Sequence, residues 1–192
     1  MTISYYDQNA NVFFDSTVDV DLTKLYQAFL PLIPSNSFVL DAGCGSGRDS
    51  KFFVSQGYKV SAFDASKELV TKASEYTGLS VELTTFEKFE SSNTFDGIWA
   101  CASLLHVPSQ ELNKTFSHLS RLLKYNGVFY CSFKYGSSDT EREGRYFTNA
   151  DETRLKVFIA NTGLSIDKMW VTDDARPNRQ TEKWLNAILI KV

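Results

Sequence analysis

The sequence is poor in the residues and segments that several classes of protein require. It has three cysteines and two histidines among 192 residues. The cysteines do not have the spacing of metal ligands, so neither a disulfide scaffold nor a zinc site is expected, and we predict no metal site. The longest mostly apolar run, residues 98–105, is far shorter than the ~20 residues that span a bilayer. We therefore expect no membrane partner.

The sequence also has no excess of positive charge. Twenty Lys and Arg residues against 23 Asp and Glu residues give a formal net charge of −3, so a dedicated DNA or RNA binder is not expected. A hydrophobic fraction of 43% argues against disorder. The first residues lack the basic and apolar regions of a signal peptide. We expect a cytoplasmic protein, either a monomer or a homodimer.

The sequence does contain a regular alternation of short apolar runs with longer amphipathic ones. This order predicts an α/β fold with a doubly wound, mostly parallel sheet covered by helices on both faces. The last two predicted strands are joined by a loop, which suggests that the final strand is antiparallel. Strands are predicted at residues 38–40, 59–63, 79–83, 97–100, 128–133, 164–171 and 184–192, and helices at 19–32, 49–56, 66–76, 110–124 and 149–161.

The strongest motif is a glycine-rich loop after the first predicted strand. Residues 41–49 are Asp-Ala-Gly-Cys-Gly-Ser-Gly-Arg-Asp. The alternating glycines permit a tight turn and a close approach of a ligand to the backbone amides, and the next helix adds partial positive charge at its N-terminus. A dinucleotide fingerprint would need its third glycine at position 48 or 50, where the chain has Arg48 and Ser50. An NAD site is therefore disfavoured.

A carboxylate follows the second predicted strand. Asp64 lies 17 residues after Gly47 (64 − 47), at the carboxyl end of that strand. In a doubly wound sheet this end borders the ligand crevice, where a carboxylate can accept hydrogen bonds from both ribose hydroxyls. The alternative for Asp64 is to cap the next helix, a role that Ser66 can also fill.

The pattern Asp41-x-Gly43-x-Gly45-x-Gly47, followed by Asp64, resembles the class I S-adenosylmethionine-dependent methyltransferases. The similarity extends over roughly residues 36–135. It implies a Rossmann-like, seven-stranded sheet of order 3-2-1-4-5-7-6 with an antiparallel last strand, and S-adenosyl-L-methionine as the cofactor. It also implies one methyltransferase domain over residues 1–192, with an N-terminal helical cap (1–34), a cofactor-binding core (35–135), and a substrate-side loop with the C-terminal strands (136–192).

The same resemblance assigns the cofactor-binding residues. The glycine loop would hold the methionine end and Asp64 the ribose, while Thr85 and Phe86 would replace an acidic adenine-binding residue that the family often has. Tyr6 resembles an N-terminal tyrosine that covers the cofactor in several relatives; its alternative is an aromatic anchor on the sheet. The full predicted set is Tyr6, Asp41, Gly43, Cys44, Gly45, Gly47, Arg48, Asp64, Ala65, Thr85, Phe86 and Ala100.

Candidates for chemistry and substrate binding lie outside the glycine loop. His106 follows the fourth strand, and its imidazole is suited to act as a general base near neutral pH; the alternative is a structural histidine bonded to the backbone. Tyr135, Arg145 and Arg176 are the candidate substrate contacts. Converging arginines would favour an anionic small acceptor, whereas compensating acidic residues would make these loops an ordinary solvated surface.

We therefore predict methyl transfer to an O, N or S atom of a small-molecule acceptor, with no DNA partner. The Asp/Asn/Ser-Pro-Pro-aromatic motif that typically accompanies amino methylation of nucleic-acid bases is missing after the fourth strand, where residues 100–103 are Ala-Cys-Ala-Ser. Two alternatives stay open. One is a protein or RNA methyltransferase, and the other is a non-catalytic cofactor-binding module on the same fold.

Overall fold

The computed structural model describes residues 2–176, 179 and 181–192. The helices are α1 (Thr2–Gln8), α2 (Ala10–Thr17), α3 (Thr23–Phe29), α4 (Arg48–Ser55), α5 (Lys67–Thr77), α6 (Ser109–Leu122) and α7 (Glu152–Phe158). The strands are β1 (Phe38–Ala42), β2 (Lys59–Asp64), β3 (Glu82–Leu83), β4 (Phe95–Ala100), β5 (Leu123–Lys134), β6 (Asp139–Arg142), β7 (Arg145–Thr148), β8 (Leu164–Asp173) and β9 (Lys183–Lys191). Within these ranges, no helix has both the length and the apolar character needed to cross a membrane.

Seven strands form the main sheet, in the order β3-β2-β1-β4-β5-β9-β8. Counted by their own sequence, these seven have the order 3-2-1-4-5-7-6, which confirms the predicted topology. β1 pairs in parallel with β2 and β4, so that Val39 lies opposite both Val60 and Gly97. β9 runs antiparallel to β5 and to β8. The predicted antiparallel last strand is therefore confirmed as well.

Apolar side chains of the central strands are buried on both faces of the sheet, because successive residues of a strand point to opposite faces. On one face, Leu40, Ile98 and Phe129 are fully buried in a cluster that includes residues of α6 and α7. On the other face, Val39 and Trp99 join a cluster that includes residues of α3 and α4. This two-sided burial explains why the strands are continuous apolar runs rather than alternating ones.

The N-terminal region differs from the prediction. The helix expected over residues 19–32 is shorter: α3 is followed by a 3-10 turn, Leu30–Leu32, which contains Pro31. Proline lacks the N–H that a longer α-helix would need at this point. The two short helices α1 and α2 lie within the expected helical cap (1–34), but the sequence did not locate them individually. Their apolar positions are too few to give a clear helical period over seven and eight residues.

The polar stretch 134–147 was expected to be a loop, but it contains the hairpin β6–β7. Arg142 lies opposite Arg145, and the two residues between them, Glu143 and Gly144, have φ angles of 50° and 73°. Two consecutive positive φ angles are typical of a type I′ turn, whose usual sequences are Asn-Gly and Asp-Gly. The hairpin was missed because Glu-Gly does not carry that signal.

A partly buried carboxylate attaches this hairpin to the two helices beside it. Asp139 accepts hydrogen bonds from Ser109 Oγ of α6 at 2.7 Å and from Arg154 Nη2 of α7 at 2.7 Å, and also from the Tyr146 hydroxyl. Burial opposes ionisation of Asp139, but these donors outweigh it and hold its pKa below the usual value. The hairpin is thereby held over the carboxyl ends of the strands.

Candidate active site

Two cavities lie where the carboxyl ends of β1, β2 and β4 meet. The larger has a volume of about 1000 Å³ and the smaller about 380 Å³. Residues that line both cavities form the wall between them, and the wall contains the glycine loop. These shared residues are Tyr6, Phe13, Gly43, Gly45, Ala102 and His106.

The glycine loop has the left-handed backbone that its sequence implies. Gly43, Gly45 and Gly47 have φ angles of 76°, 54° and 78°, a region that side chains other than glycine adopt at a cost. A Cβ atom on Gly43 would lie 2.7 Å from the Cβ of Ser103, and one on Gly45 would lie 3.1 Å from Phe13. Gly43, Cys44 and Gly45 line the larger cavity.

Three of the predicted cofactor residues do not reach either cavity. Gly47 begins α4 and packs against α5, where a Cβ would lie 2.8 Å from Cγ2 of Thr77. Asp41 is only 2% exposed, and Ala100 is fully buried. Asp41 and Ala100 lie in β1 and β4, which end before their chains reach the cavities, and Gly47 lies beside the loop at the start of α4. All three residues therefore support the glycine loop from below or from the side.

Asp64 lines the smaller cavity at the end of β2. Its Oδ2 accepts the N–H of Gly45 at 2.9 Å, and its Oδ1 accepts the N–H of Ser66 at 2.9 Å. Desolvation raises the pKa of Asp64, although these backbone donors oppose the shift. Each carboxylate oxygen has a second lone pair for a ligand. The capping role belongs to Ser66, whose Oγ accepts the N–H of Leu69.

The smaller cavity is mostly apolar beyond Asp64. Besides Asp64 and the residues shared with the larger cavity, the predicted residues that line it are Ala65, Thr85 and Phe86. The Phe86 ring stands edge-on to Phe63, with 5.3 Å between the ring centroids. This apolar lining can contact a flat apolar group, and the Asp64 carboxylate suits a neighbouring group with hydroxyls.

A buried network lies beneath the glycine loop. Asp49 accepts four hydrogen bonds: from Tyr26 OH at 2.6 Å, from Trp99 Nε1 at 2.8 Å, and from Arg48 Nε and Nη2 at 2.6 and 3.0 Å. Burial opposes its ionisation, but Arg48 and the neutral donors hold the pKa of Asp49 below its usual value. Arg48 lines the larger cavity, yet its guanidinium is directed to Asp49 rather than to a ligand.

Asp41 is the second carboxylate of this buried region. It accepts a hydrogen bond from Ser50 Oγ at 2.6 Å. Burial, together with the negative charge of Asp49, raises the pKa of Asp41 to about 8. Its expected contact with the methionine end of a cofactor is not made by this side chain, which lines neither cavity.

The first helix closes the site from above. Asp7 accepts a hydrogen bond from Ser66 Oγ at 2.6 Å, and Thr2 Oγ1 accepts the N–H of Tyr146 at 3.1 Å. α1 therefore joins the start of α5, beside Asp64, to the hairpin β6–β7. In α2, Phe13 covers Gly45.

His106 has a defined tautomer. Its Nδ1 lies 2.8 Å from the carbonyl oxygen of Tyr146, which only accepts, so Nδ1 carries the proton. Its Nε2 then accepts the hydroxyl of Tyr6, at 2.7 Å. Desolvation lowers the pKa of His106 to about 4, and the positive charges of Arg145 and Lys134 act in the same direction. The imidazole is neutral at pH 7.

Of the seven Lys and Arg residues that line the larger cavity among the residues described, four form ion pairs with carboxylates. Asp174, the partner of Arg176, has a side chain that is only 3% exposed, and it accepts two hydrogen bonds from the guanidinium, at 2.9 and 2.5 Å. By contrast, the partner of Arg145, Glu143, is 71% exposed. The pairs are Arg48–Asp49, Lys134–Glu182, Arg145–Glu143 and Arg176–Asp174. Among the described residues, no cluster of acidic, histidine or cysteine side chains has the form of a metal site.

Tyr135 is not brought to the site. It lines neither cavity, is 44% exposed, and its hydroxyl donates to Glu152 Oε2 at 3.0 Å. Its neighbour Lys134 lines the larger cavity instead. Adjacent residues at the end of a strand point to opposite sides, and the sequence does not indicate which of the two faces inward.

Several cavity residues were not predicted. Ala102 has a φ of 51°, which is uncommon for a residue with a side chain, and its N–H donates to Ser132 Oγ at 2.8 Å. Alanine gives no sequence signal for such a backbone. The remaining ones come from segments far apart in the chain, which only the fold brings together. The unpredicted residues include Phe13, Ala102, Ser103, Lys134, Phe147 and Asn186.

Comparison with known proteins points to one family. Residues 39–127 match the model of a methyltransferase domain family. This match supports membership of the class I S-adenosylmethionine-dependent methyltransferases. The match covers β1 to the first part of β5, including the glycine loop and Asp64.

Individual relatives are more distant. The chain is 27% identical over 141 residues to the 18S rRNA (guanine-N(7))-methyltransferase bud23 of Schizosaccharomyces pombe, a match that covers 65% of this chain and only about half, 53%, of that protein. The fold is similar to the crystal structure of 1,6-didemethyltoxoflavin-N1-methyltransferase of Burkholderia thailandensis with bound 1,6-didemethyltoxoflavin and S-adenosylhomocysteine (TM-score 0.78, 21% identity, 99% of this chain and 85% of that one). It is also similar to magnesium protoporphyrin IX methyltransferase of Synechocystis with bound S-adenosylhomocysteine (TM-score 0.70, 18% identity, 96% and 86%).

Proposed function

We propose that this chain transfers the methyl group of S-adenosylmethionine to a small-molecule acceptor that carries an anionic group. The observation that carries the proposal is the pair of cavities that meet at the glycine loop, with Asp64 in one and a large space in the other. S-adenosylmethionine supplies a methyl group on a positively charged sulfur, and in the transfer a bond from the acceptor atom to this carbon forms while the carbon–sulfur bond breaks and the sulfur keeps the electron pair.

The residues present fit such a cofactor. The adenosine would occupy the smaller cavity, with Phe86 beside the base and Asp64 accepting the ribose hydroxyls. The amino-acid end would pass Gly43 and Gly45, where the absence of side chains leaves the backbone open, into the larger cavity. The proposal includes the expected division of the chain into a cap (1–34), a cofactor core (35–135) and a substrate side (136–192).

The larger cavity supports a small acceptor with an anionic group at Arg145. The guanidinium lies 4.2 Å from the centre of the Tyr5 ring and 5.3 Å from that of Phe147, which fixes its plane. Its partner Glu143 is exposed, and such pairs contribute only about 0–1 kcal/mol, so a ligand carboxylate can replace it. Arg176 is less suited, because the buried Asp174 already takes two of its hydrogen bonds.

The Arg145→Met variant tests this acceptor class. A panel of aromatic and heteroaromatic carboxylates and phenols is incubated with S-adenosylmethionine, and S-adenosylhomocysteine is quantified by mass spectrometry. For an anionic acceptor found in this way, we expect kcat/KM to fall about 10- to 100-fold, the loss of one charge-assisted hydrogen bond or pair. The affinity for S-adenosylhomocysteine should not change.

The control is Arg142→Met, which removes a charge from the same hairpin at an exposed position of the same cavity. Equal losses in the two variants would mean that the cavity attracts anions only through its overall charge, and would contradict a specific role for Arg145. If the protein binds the cofactor but forms no S-adenosylhomocysteine with any member of the panel, the non-catalytic alternative gains support.

A second candidate is methylation of an RNA base, because the curated relative acts on rRNA. The net charge of −3 and the ion pairing of four of the cations in the larger cavity weigh against it. RNA binding that weakens steeply with salt concentration, as expected when several phosphates are contacted, would favour this candidate over a small acceptor.

A further inference from the structure

We propose that Tyr6 and His106 form a proton relay at the junction of the two cavities, which takes the proton of an acceptor N–H or O–H group during methyl transfer. The inference rests on the proposed function and goes beyond it, because it assigns a route for the proton and limits the acceptor to molecules that have a proton to lose at the reacting atom.

The position of the two side chains carries the first part of the argument. Tyr6 and His106 are among the six residues that line both cavities. A ligand that extends from one cavity into the other must therefore pass them. Tyr6 comes from α1, and His106 from the 3-10 turn after β4, so the pair exists only when α1 is closed over the site.

The hydrogen bonds give the relay a direction. The Tyr6 hydroxyl donates to Nε2 of His106 at 2.7 Å, and Nδ1 of His106 donates to the Tyr146 carbonyl at 2.8 Å. The only basic lone pair of the imidazole therefore faces Tyr6. Tyr6 also lines the larger cavity, and the relay requires that an acceptor approaches its oxygen from that side.

The protons balance along this route. As the acceptor atom gains the methyl group, its proton passes to the Tyr6 oxygen, and the Tyr6 hydroxyl proton passes to Nε2 of His106. Tyr6 is again a neutral phenol at the end. His106 becomes an imidazolium, whose Nδ1–H remains bonded to the Tyr146 carbonyl. It gains its positive charge when the bound sulfonium has lost its own, so the net charge of the site is conserved.

The charged groups around the pair favour a neutral imidazole before transfer. Arg145 of β7 and Lys134 of β5 are the cations that face His106, and both oppose its protonation. The hydroxyl of Tyr6, on α1, also faces His106. Asp64 of β2 is the acidic group whose negative charge acts on Tyr6. The positive charge of a bound sulfonium would also oppose protonation of His106, whereas the neutral thioether product would not.

This difference between the two ligands provides a test that needs no acceptor. The dissociation constants of S-adenosylmethionine and S-adenosylhomocysteine are measured by calorimetry from pH 7.5 down to the lowest pH at which circular dichroism still reports a folded protein. Titration of the amino and carboxyl groups that both ligands share cancels in the ratio of the two constants. Protonated His106 repels only the sulfonium, so the ratio for S-adenosylmethionine over S-adenosylhomocysteine should rise as the pH falls through the His106 pKa of about 4, by about twofold at pH 4.0 and about fourfold at pH 3.5.

Protonation of nearby carboxylates would also raise the ratio of the two dissociation constants at low pH. Variants distinguish the contribution of His106 from theirs. In His106→Gln the rise should be clearly smaller than in the natural protein. In Tyr6→Phe the rise should begin at a higher pH, because Nε2 loses the hydrogen bond that favours its unprotonated form. Tyr125→Phe, a tyrosine that is 75% exposed and lines neither cavity, should behave like the natural protein.

Each outcome is decisive. A ratio that does not change with pH, or that changes equally in His106→Gln, would overturn the relay while leaving the proposed function intact. Failure of both ligands to bind at millimolar concentration would instead overturn the proposed function, and the relay with it. With an acceptor from the panel, Tyr6→Phe should lower kcat about 10²- to 10⁴-fold, the usual contribution of proton transfer.

Discussion

The Asp49→Ala variant should unfold with a free energy about 3–5 kcal/mol lower than that of the natural protein, measured by urea denaturation. Asp49 is 5% exposed and accepts hydrogen bonds from Arg48, Tyr26 and Trp99. Alanine would leave a buried tyrosine hydroxyl, a buried indole N–H and the mostly buried Arg48 guanidinium without this acceptor. Removing one partner of a buried ion pair has a large cost for this reason.

An exposed ion pair provides the control. Lys114 and Glu87 are 78% and 66% exposed at 3.1 Å, so Lys114→Ala should change stability by no more than about 0.5 kcal/mol. A double variant, Arg48→Met with Asp49→Leu, should recover the part of the loss that comes from the unpaired Arg48 charge, while the Tyr26 and Trp99 donors still lack their acceptor. If Asp49→Ala unfolds like Lys114→Ala, the buried network does not stabilise the glycine loop.

The effect of Asp49 should also depend on pH. Its pKa is lower in the folded protein than in the unfolded chain, where a carboxyl group titrates near ~3.9. Its stabilising contribution is therefore fully present above that value and is lost as the pH falls through the lower, folded pKa. The difference between the natural protein and Asp49→Ala should be constant near neutrality and decrease below about pH 4.

The second large effect is expected in the Gly45→Val variant, which should bind S-adenosylhomocysteine at least about 100-fold more weakly, or about 2.7 kcal/mol. Gly45 has a φ of 54°, lines both cavities, and donates its N–H to Asp64. A branched side chain there would occupy the passage between the cavities and contact Phe13. Calorimetry on the purified variant measures the loss.

Backbone strain alone must be separated from this effect, and Gly78 makes that possible. Its φ of 77° is also left-handed, but a Cβ there meets nothing within 4 Å, and it lines neither cavity. Gly78→Val should lose stability through strain, of the order of 1–3 kcal/mol, while its ligand affinity stays that of the natural protein. Equal weakening of binding in both variants would contradict the assignment of the passage.

The parts of the site that the sequence predicted are those built from neighbouring residues. The glycines and Asp64 follow two adjacent parallel strands, so their positions at the same end of the sheet followed from the strand order. The motif of the glycine loop did not show which of its residues would contact a ligand and which would only support the loop. Gly47 packs against α5, and Asp41 accepts a hydrogen bond from Ser50 beneath the loop.

The parts that were missed depend on contacts between distant residues. The pairing of Tyr6 with His106 joins residues 100 positions apart, and no periodicity encodes it. The short helix α1 has few apolar residues and is held by Asp7 and Thr2 through contacts with α5 and β7. Likewise, the difference between Arg145 and Arg176 lies in the burial of their partners, which only the folded chain reveals.

The central claim is that the smaller cavity and the glycine loop bind the adenosyl cofactor, and calorimetric titration with S-adenosylhomocysteine tests it most directly. We predict binding of one ligand per chain, with affinity that falls about ten- to hundredfold in Asp64→Ala, as expected when hydrogen bonds to a charged group are lost. NAD should not compete, because the third glycine of its fingerprint is absent. Absence of binding by the folded protein at millimolar S-adenosylhomocysteine, or an Asp64→Ala variant with unchanged affinity, would contradict this assignment.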